Sequence, residues 1–358
     1  MLLDCRKVEL DKNRRVIIIS DVHANLPLFK RLLTKVNYTP DDYLFINGDL
    51  CEKGPDSLET VAFARELVAG SERVFLTKGN CDIVHRYVYD NVEGIKNYMV
   101  KQPYSILNEM LEQHDAQLDD FSSLQELGAF YRDHYGETLD WLEDLPVAFE
   151  TDEFIIIHAG VENRPDWQHT SLANALSMPS FYEQGHMVDK PVIVGHWPVV
   201  NYRAAAISSN SPVIDETKKV IALDGGNGIK RDGQLNALIW EGSDILYDYV
   251  DELPIAVIRR AHKDQTNNCG TVTYPNYELE EIQREMYFTL CENKNLRIQQ
   301  WVKNEYIVNG MCKSDVSTTF LSVEEGEFVS IVNNACDGFI LVKTHDGSVG
   351  WIPKECLG

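Results

Sequence analysis

Five short polar segments in this 358-residue chain carry residue types suited to binding divalent metal ions, and each follows directly on an apolar run. They are Asp21-Val22-His23, Gly48-Asp49, Gly79-Asn80-Cys81-Asp82, His158-Ala159-Gly160 and Gly195-His196. Two divalent cations roughly 3.5–4 Å apart need a bridging carboxylate flanked by oxygen and nitrogen donors, and this is such a donor set. Asp49 is the natural bridge. Asp21 and His23, read as alternating on an extended segment, reach one metal while Val22 turns to the core, and Asn80, His158 and His196 complete the second. A water held between such cations loses its proton near neutral pH, so the expected chemistry is direct attack of a metal-bridging hydroxide on phosphorus. Taken singly, each segment is ordinary: Gly-Asp is common in turns, and a histidine after a strand is more often a core or cap residue. The joint pattern carries the reading.

Such segments converge only if their strands end together. Residues 15–20 form a continuous apolar strand. Leu28, Phe29, Leu32, Leu33 and Val36 then fall on one helical stripe behind Pro27. Residues 43–47 form a second strand, Asp56 or Ser57 starts a second helix, and residues 73–77 form a third strand. This alternation predicts an α/β layered sheet with its ligands at the carboxyl ends of strands. Residues 84–145 read as a helical insertion capping the site. Strands resume at 154–157, 192–194, 220–223, 235–240 and 245–250, giving a catalytic domain over 1–250. Beyond it, turn signals between short strands predict an all-β tail, divided into a small β-rich domain at 251–313 and a barrel at 314–358. The second part resembles a bacterial SH3-like barrel through Glu325-Gly326-Glu327 and Gly350-Trp351-Ile352-Pro353. A proline-rich ligand would require an aromatic groove there, and Trp351 is the aromatic the sequence offers.

The charge is lopsided. Against 33 Lys and Arg stand 56 Asp and Glu, a net of −23 that argues against broad nucleic-acid binding. Residues 106–145 hold eleven of the acids and one arginine, so nearly half of the excess lies in the helical insertion. No apolar run reaches the roughly 20 residues of a membrane span, and Met1-Leu2-Leu3-Asp4 leads into basic residues without an apolar stretch, so no membrane association and a cytoplasmic location are expected. Eight cysteines without a Cys-x-x-Cys pair fit reduced thiols.

The order Asp-x-His, Gly-Asp, Gly-Asn, His-Ala-Gly, Gly-His resembles the calcineurin-like metallophosphoesterase superfamily over about residues 16–240. Residues 48–54 look like the Gly-Asp-x-Val-Asp-Arg-Gly element of serine/threonine protein phosphatases and of the related symmetrical diadenosine tetraphosphatases. Trp197 after His196, and Asp224-Gly225-Gly226, point to the same branch. The resemblance implies a four-layer α/β/β/α sandwich and two divalent metals, manganese foremost, with iron, zinc or nickel as alternatives. It places Asp49, Glu52, Cys81 and Asp82 in the catalytic set and Lys53 and Asn80 at the phosphate. Two positions depart from the family pattern. Cys81 replaces a histidine thought to protonate the leaving group, and a thiol is a poor substitute for imidazolium. Lys53 replaces a phosphate-clamping arginine and lacks its bidentate fork. The expected function is phosphomonoester hydrolysis, phosphoserine or phosphothreonine protein foremost. Diadenosine polyphosphate hydrolysis or phosphodiester hydrolysis is the alternative, and a catalytically weak binding or regulatory module the third reading. Expected partners are a phosphorylated protein or nucleotide-type substrate and a protein or peptide ligand of the tail.

Overall fold

Four consecutive β-branched residues, Val16–Ile19, form a strand with no polar face because both of its faces are covered. Val16 and Ile18 enter one core and Ile17 and Ile19 another, as the strand's two-residue period requires. The computed structural model describes residues 2–358 and divides into two units, one of residues 2–197, Pro212–Ile229 and Leu235–Val250, the other of Pro198–Ser211, Lys230–Gln234 and Asp251–Gly358.

In chain order the first unit contains β1 (Cys5–Lys7), β2 (Val16–Ile19), α1 (Leu26–Lys35), β3 (Tyr43–Asn47), α2 (Ser57–Gly70), β4 (Val74–Thr77), α3 (His85–Tyr89), α4 (Ile95–Lys101), α5 (Ile106–Glu112), α6 (Leu124–Glu143), β5 (Ala148–Glu150), β6 (Ile155–Ile157), α7 (Leu172–Ser177), α8 (Phe181–Gln184), β7 (Val192–Val194), β8 (Val213–Asp215), β9 (Val220–Ala222), β10 (Leu235–Glu241) and β11 (Asp244–Val250). They build a five-stranded sheet, β11-β10-β2-β3-β4, and a six-stranded sheet, β1-β5-β6-β7-β9-β8. The two sheets pack face to face: Val16, Ile18 and Phe45 from one share a core with Phe149, Ile156, Ile193 and Ile221 from the other. On the outer face of the five-stranded sheet, Ile17, Ile19, Leu44 and Ile46 meet Leu28, Phe29 and Leu32 of α1, Val61 of α2, and Leu107, Leu127 and Tyr131 of the helical insertion. The runs β2-β3-β4 and β6-β7-β9 are each parallel, so their carboxyl ends lie on one edge of their sheet. Strands β1, β5 and β8 are not anticipated from the sequence. Each has three residues and includes at least one charged one, so it lacks the unbroken apolar run that marks the equally short β6, β7 and β9.

The second unit is all β, with a four-stranded antiparallel sheet (255–257, 328–333, 339–343, 349–353) and a three-stranded one (279–284, 288–293, 298–303). Trp351 is 0% exposed, donates Nε1–H to Ser317 O at 2.7 Å and packs against Phe288 and Tyr306. It is core, and this corrects its expected place in a ligand groove. Lys343, equally buried, pairs with Asp251 at 2.9 Å. No helix among the described residues is long and apolar enough to cross a membrane.

Candidate metal centre

Each predicted segment follows a parallel strand: Asp21 after β2, Asp49 after β3, Asn80 after β4, His158 after β6 and His196 after β7. Backbone bonds zip the loop ends together. Asp21 N donates to Gly48 O (3.2 Å), His23 N to Asp49 O (2.9 Å) and Gly195 N to His158 O (2.8 Å). The two sheets are joined at the same edge, where Asn47 Nδ2 donates to Ile157 O (3.1 Å). The extended form expected of the Asp-x-His segment is corrected: the segment is coiled, with φ of 57°, 49° and 53° at Asp21, His23 and Ala24. Asp49, Glu52, Lys53 and His196 share the left-handed region, so among the described residues seven of the fifteen non-glycine positions with positive φ lie in these loops. Backbone held in sparsely populated conformations concentrates at functional sites, and here it turns side chains inward that a regular strand would alternate.

The ligand atoms of His23, Asp49 and Cys81 lie within 4.8 Å of one another, and so do those of Asp49, His158 and His196. Asp49 belongs to both groups. Asp21 Oδ1 lies 3.9 Å from His23 Nε2, and Asp49 Oδ1 lies 3.4 Å from His158 Nε2. A carbonyl only accepts, so Nδ1 of His158 donates to Asn47 O (3.0 Å) and Nδ1 of His23 to Cys51 O (3.3 Å). Both rings therefore turn Nε2 toward the carboxylates, the orientation in which an outer carbonyl fixes a metal-binding histidine. Nε2 of His23 is buried without a hydrogen-bond partner, as is Oδ2 of Asp224 at the end of β9. Asn80 presents its amide oxygen to His158 Nε2 (3.2 Å); with the amide turned over, its nitrogen would donate to that atom and to His196 Nδ1 (2.8 Å).

Charge at the site is poorly balanced by the protein alone. Burial and then Asp224 push the Asp21 carboxyl well above the usual range. Burial also acts upward on Asp49, but His158, His23 and His196 outweigh it and hold that carboxyl far below its ordinary value. Burial pulls His158 down, yet Asp49 outweighs it and lifts the ring to about 10, whereas burial and His158 push His196 down to about 4. Positive charge is favoured beside Asp49, and buried carboxylates of this density are stable only when paired or bound to cations. Orphaned donors, converging lone pairs and excess buried negative charge all fit a pair of divalent ions.

The remaining expected residues have other partners. Asp82 accepts from Asp49 N (2.8 Å), Gly79 N (2.7 Å), Leu50 N (2.8 Å) and Cys51 N (3.3 Å). Glu52 accepts from Ser105 Oγ (2.9 Å), Ile106 N (2.8 Å) and the Tyr98 hydroxyl. Cys81 is buried, donates its backbone N–H to Asp49 Oδ1 (2.9 Å), and has its thiol pushed well above its usual pKa by burial and by Asp49. Lys53, half-buried, stands over the Tyr98 ring at 5.8 Å. Asp224 joins the centre although the sequence reading does not count it among the ligands. Its strand-end position and following Gly225-Gly226 are the available signal.

Residues 14–207, more than half of the chain, match the family Calcineurin-like phosphoesterase, and residues 306–357 match the Variant SH3 domain. A symmetrical bis(5'-nucleosyl)-tetraphosphatase of Pectobacterium atrosepticum is 31% identical over 154 residues, covering 42% of this chain and 44% of that protein. One from Vibrio parahaemolyticus is 29% identical over 151 residues, covering 42% and 45%. The chain thus spans less than half the length of these two curated relatives. A solved protein serine/threonine phosphatase of Saccharomyces cerevisiae aligns over 71% of this chain and 85% of its own at TM-score 0.45 and 12% identity. With six strand ends of two packed sheets delivering carboxylates, imidazoles and an amide to one buried cluster, and with the family match over residues 14–207, the chain belongs to the calcineurin-like phosphoesterase family.

Proposed function

We propose that the chain is a metal-dependent phosphoric ester hydrolase acting on phosphoanhydrides of the dinucleoside polyphosphate class ahead of alkyl phosphomonoesters. The observation that carries this reading is Cys81: a buried thiol, its pKa pushed up by burial and by Asp49, lies beside that carboxylate where the family pattern has an imidazole to serve the leaving group. An alkoxide leaving from phosphoserine needs a proton, whereas a nucleotide phosphate leaves as a stable anion. The names of the sequence relatives support the same class.

Asp21, His23, Asp49, Asn80, His158 and His196 would hold two divalent cations, with Asp224 beside them, and manganese is the first to test. Bound there, the cations supply Lewis-acid charge for phosphoryl oxygens and acidify water. The chain's own groups do the positioning. Asn47 O and Cys51 O fix the rings of His158 and His23. Asp82 gathers four backbone N–H groups of the loops carrying Asp49 and Asn80, a positioning role rather than a catalytic one. Glu52 likewise anchors the loop to α5 and Tyr98, leaving Lys53 to meet phosphate. The acidic insertion favours a second reading, a phosphopeptide with basic flanks.

One comparison separates the two. Turnover of diadenosine tetraphosphate should exceed that of phosphoserine by at least about 100-fold, the size of a missing general acid, and Cys81→His should narrow the gap. Equal rates on both substrates in the native protein would favour the phosphopeptide.

A further inference from the structure

Beside Asn80 and Cys81 the first unit has a cavity of about 340 Å³, lined by Lys53, Val84, Tyr87, Val92, Ile95 and Tyr98 among others. This is within the ~300–1,000 Å³ of small-molecule sites. Eleven of the thirteen acidic residues of the 84–145 insertion lie at 106–145, whereas the cavity is walled by its first part, where Glu93 is the one carboxylate of the lining. Tyr87 and Val92 are 48% and 39% exposed, large apolar groups left in solvent at the same opening. Tyr98 is held by its hydroxyl on Glu52, and the Lys53 ammonium stands over its ring. The cavity therefore joins a phosphate-side edge of Lys53 and Asn80 to an aromatic and aliphatic wall, with Glu93 as the one carboxylate among its lining residues.

We propose that this cavity is a subsite for the planar base of a nucleotide substrate, with Tyr87 as its stacking surface and the phosphate chain passing Lys53 toward Asn80. The inference rests on the phosphoanhydride reading above and adds the group that separates nucleotides from inorganic polyphosphates and phosphopeptides. A phosphopeptide with basic flanks would find no acidic wall here, and an inorganic polyphosphate would leave the apolar wall wet. A purine covers Tyr87 and Val92 and offers an amino group to Glu93. Stacking tolerates any base, because every base has a π face, so the site selects nucleotides as a class.

The test is titration calorimetry of the manganese-loaded full chain with adenosine 5′-(α,β-methylene)diphosphate and with methylenediphosphonate, which keeps the phosphonate chemistry and lacks the nucleoside. The nucleoside should tighten binding by about tenfold or more, the usual effect of one stacked base, and Tyr87→Ala should remove most of that gain while Tyr87→Phe keeps it. Methylenediphosphonate should bind both variants as it binds the native protein. Equal affinity for the two ligands, no binding of the nucleotide, or a gain untouched by Tyr87→Ala would overturn the subsite. Hydrolysis is read separately: a native protein that binds the nucleotide through Tyr87 yet turns over no dinucleoside polyphosphate retains the subsite and loses the functional reading.

Discussion

Gly195 shows how little room the centre leaves around Asp21. A Cβ at this position would stand 2.0 Å from Ser20 Oγ and 2.1 Å from Asp21 Oδ2, and Ser20 Oγ itself donates to Asp21. Gly195→Ala must displace that carboxylate or the loop that carries His196. The expected outcome is a loss of about 10–100-fold in metal affinity, the usual effect of disturbing groups that hold a ligand, measured by metal titration against a competing chelator. Unchanged affinity would remove Asp21 from the proposed ligand set. At this scale the sequence shows which residues carry lone pairs, because donor-rich segments after apolar runs stand out. It does not show what each carboxylate bonds to. Asp82 and Asp49 look alike in sequence, but Asp82 is consumed by four peptide N–H groups, three of them in the loop at 49–51. That pairing depends on β3 and β4 ending side by side, and no local pattern encodes it.

Two glutamates clasp the helical insertion to the rest of the first unit, one at the loop after Asp49 and one at the start of α2. Glu52 receives Ile106 N at the start of α5, and Glu109 from α5 receives Leu58 N in the first turn of α2 (3.2 Å). Each carboxylate sits where unpaired helix N–H groups favour negative charge. For Glu109 burial is the larger effect and raises its pKa from 4.5 to about 7. The folded state therefore binds a proton more readily than the unfolded chain. The stability Glu109 contributes is complete below pH 4.5 and is lost as pH rises through 7. Thermal melting should show a downward component over that window, and Glu109→Gln should flatten it. An identical pH profile in the variant would contradict the assignment. Helices α1 and α2 and the long core strands are legible because amphipathic stripes and apolar runs are local. The coiled Asp-x-His loop is not, since nothing in Asp21 or His23 announces a left-handed backbone that glycine usually takes.

Across the molecule, the two units depend on the sequence in different ways. The first is built on two runs in near-sequential order, β2-β3-β4 and β6-β7-β9, which periodicity shows, while β1 and β10-β11 join from distant parts of the chain. The second recruits Pro198–Ser211 and Lys230–Gln234 to the residues after 250, and its interior includes polar anchors such as Lys230–Asp315 (2.7 Å) and Lys343–Asp251, which residue pattern alone does not pair. Net charge acts at this scale too: a chain at −23 disfavours a polyanionic substrate at long range, so local positive charge must decide binding. In the proposed function Lys53 and the cations would supply that charge. Elemental analysis of the full chain, paired with hydrolysis of diadenosine tetraphosphate, tests this most directly. The native protein should hold about two divalent cations and lose activity when they are removed by a chelator, and Asp49→Asn, which replaces the carboxylate common to both ligand groups, should hold fewer and hydrolyse nothing measurable. Undiminished hydrolysis in the metal-free protein, or an Asp49→Asn variant with full metal content and full activity, would contradict the account.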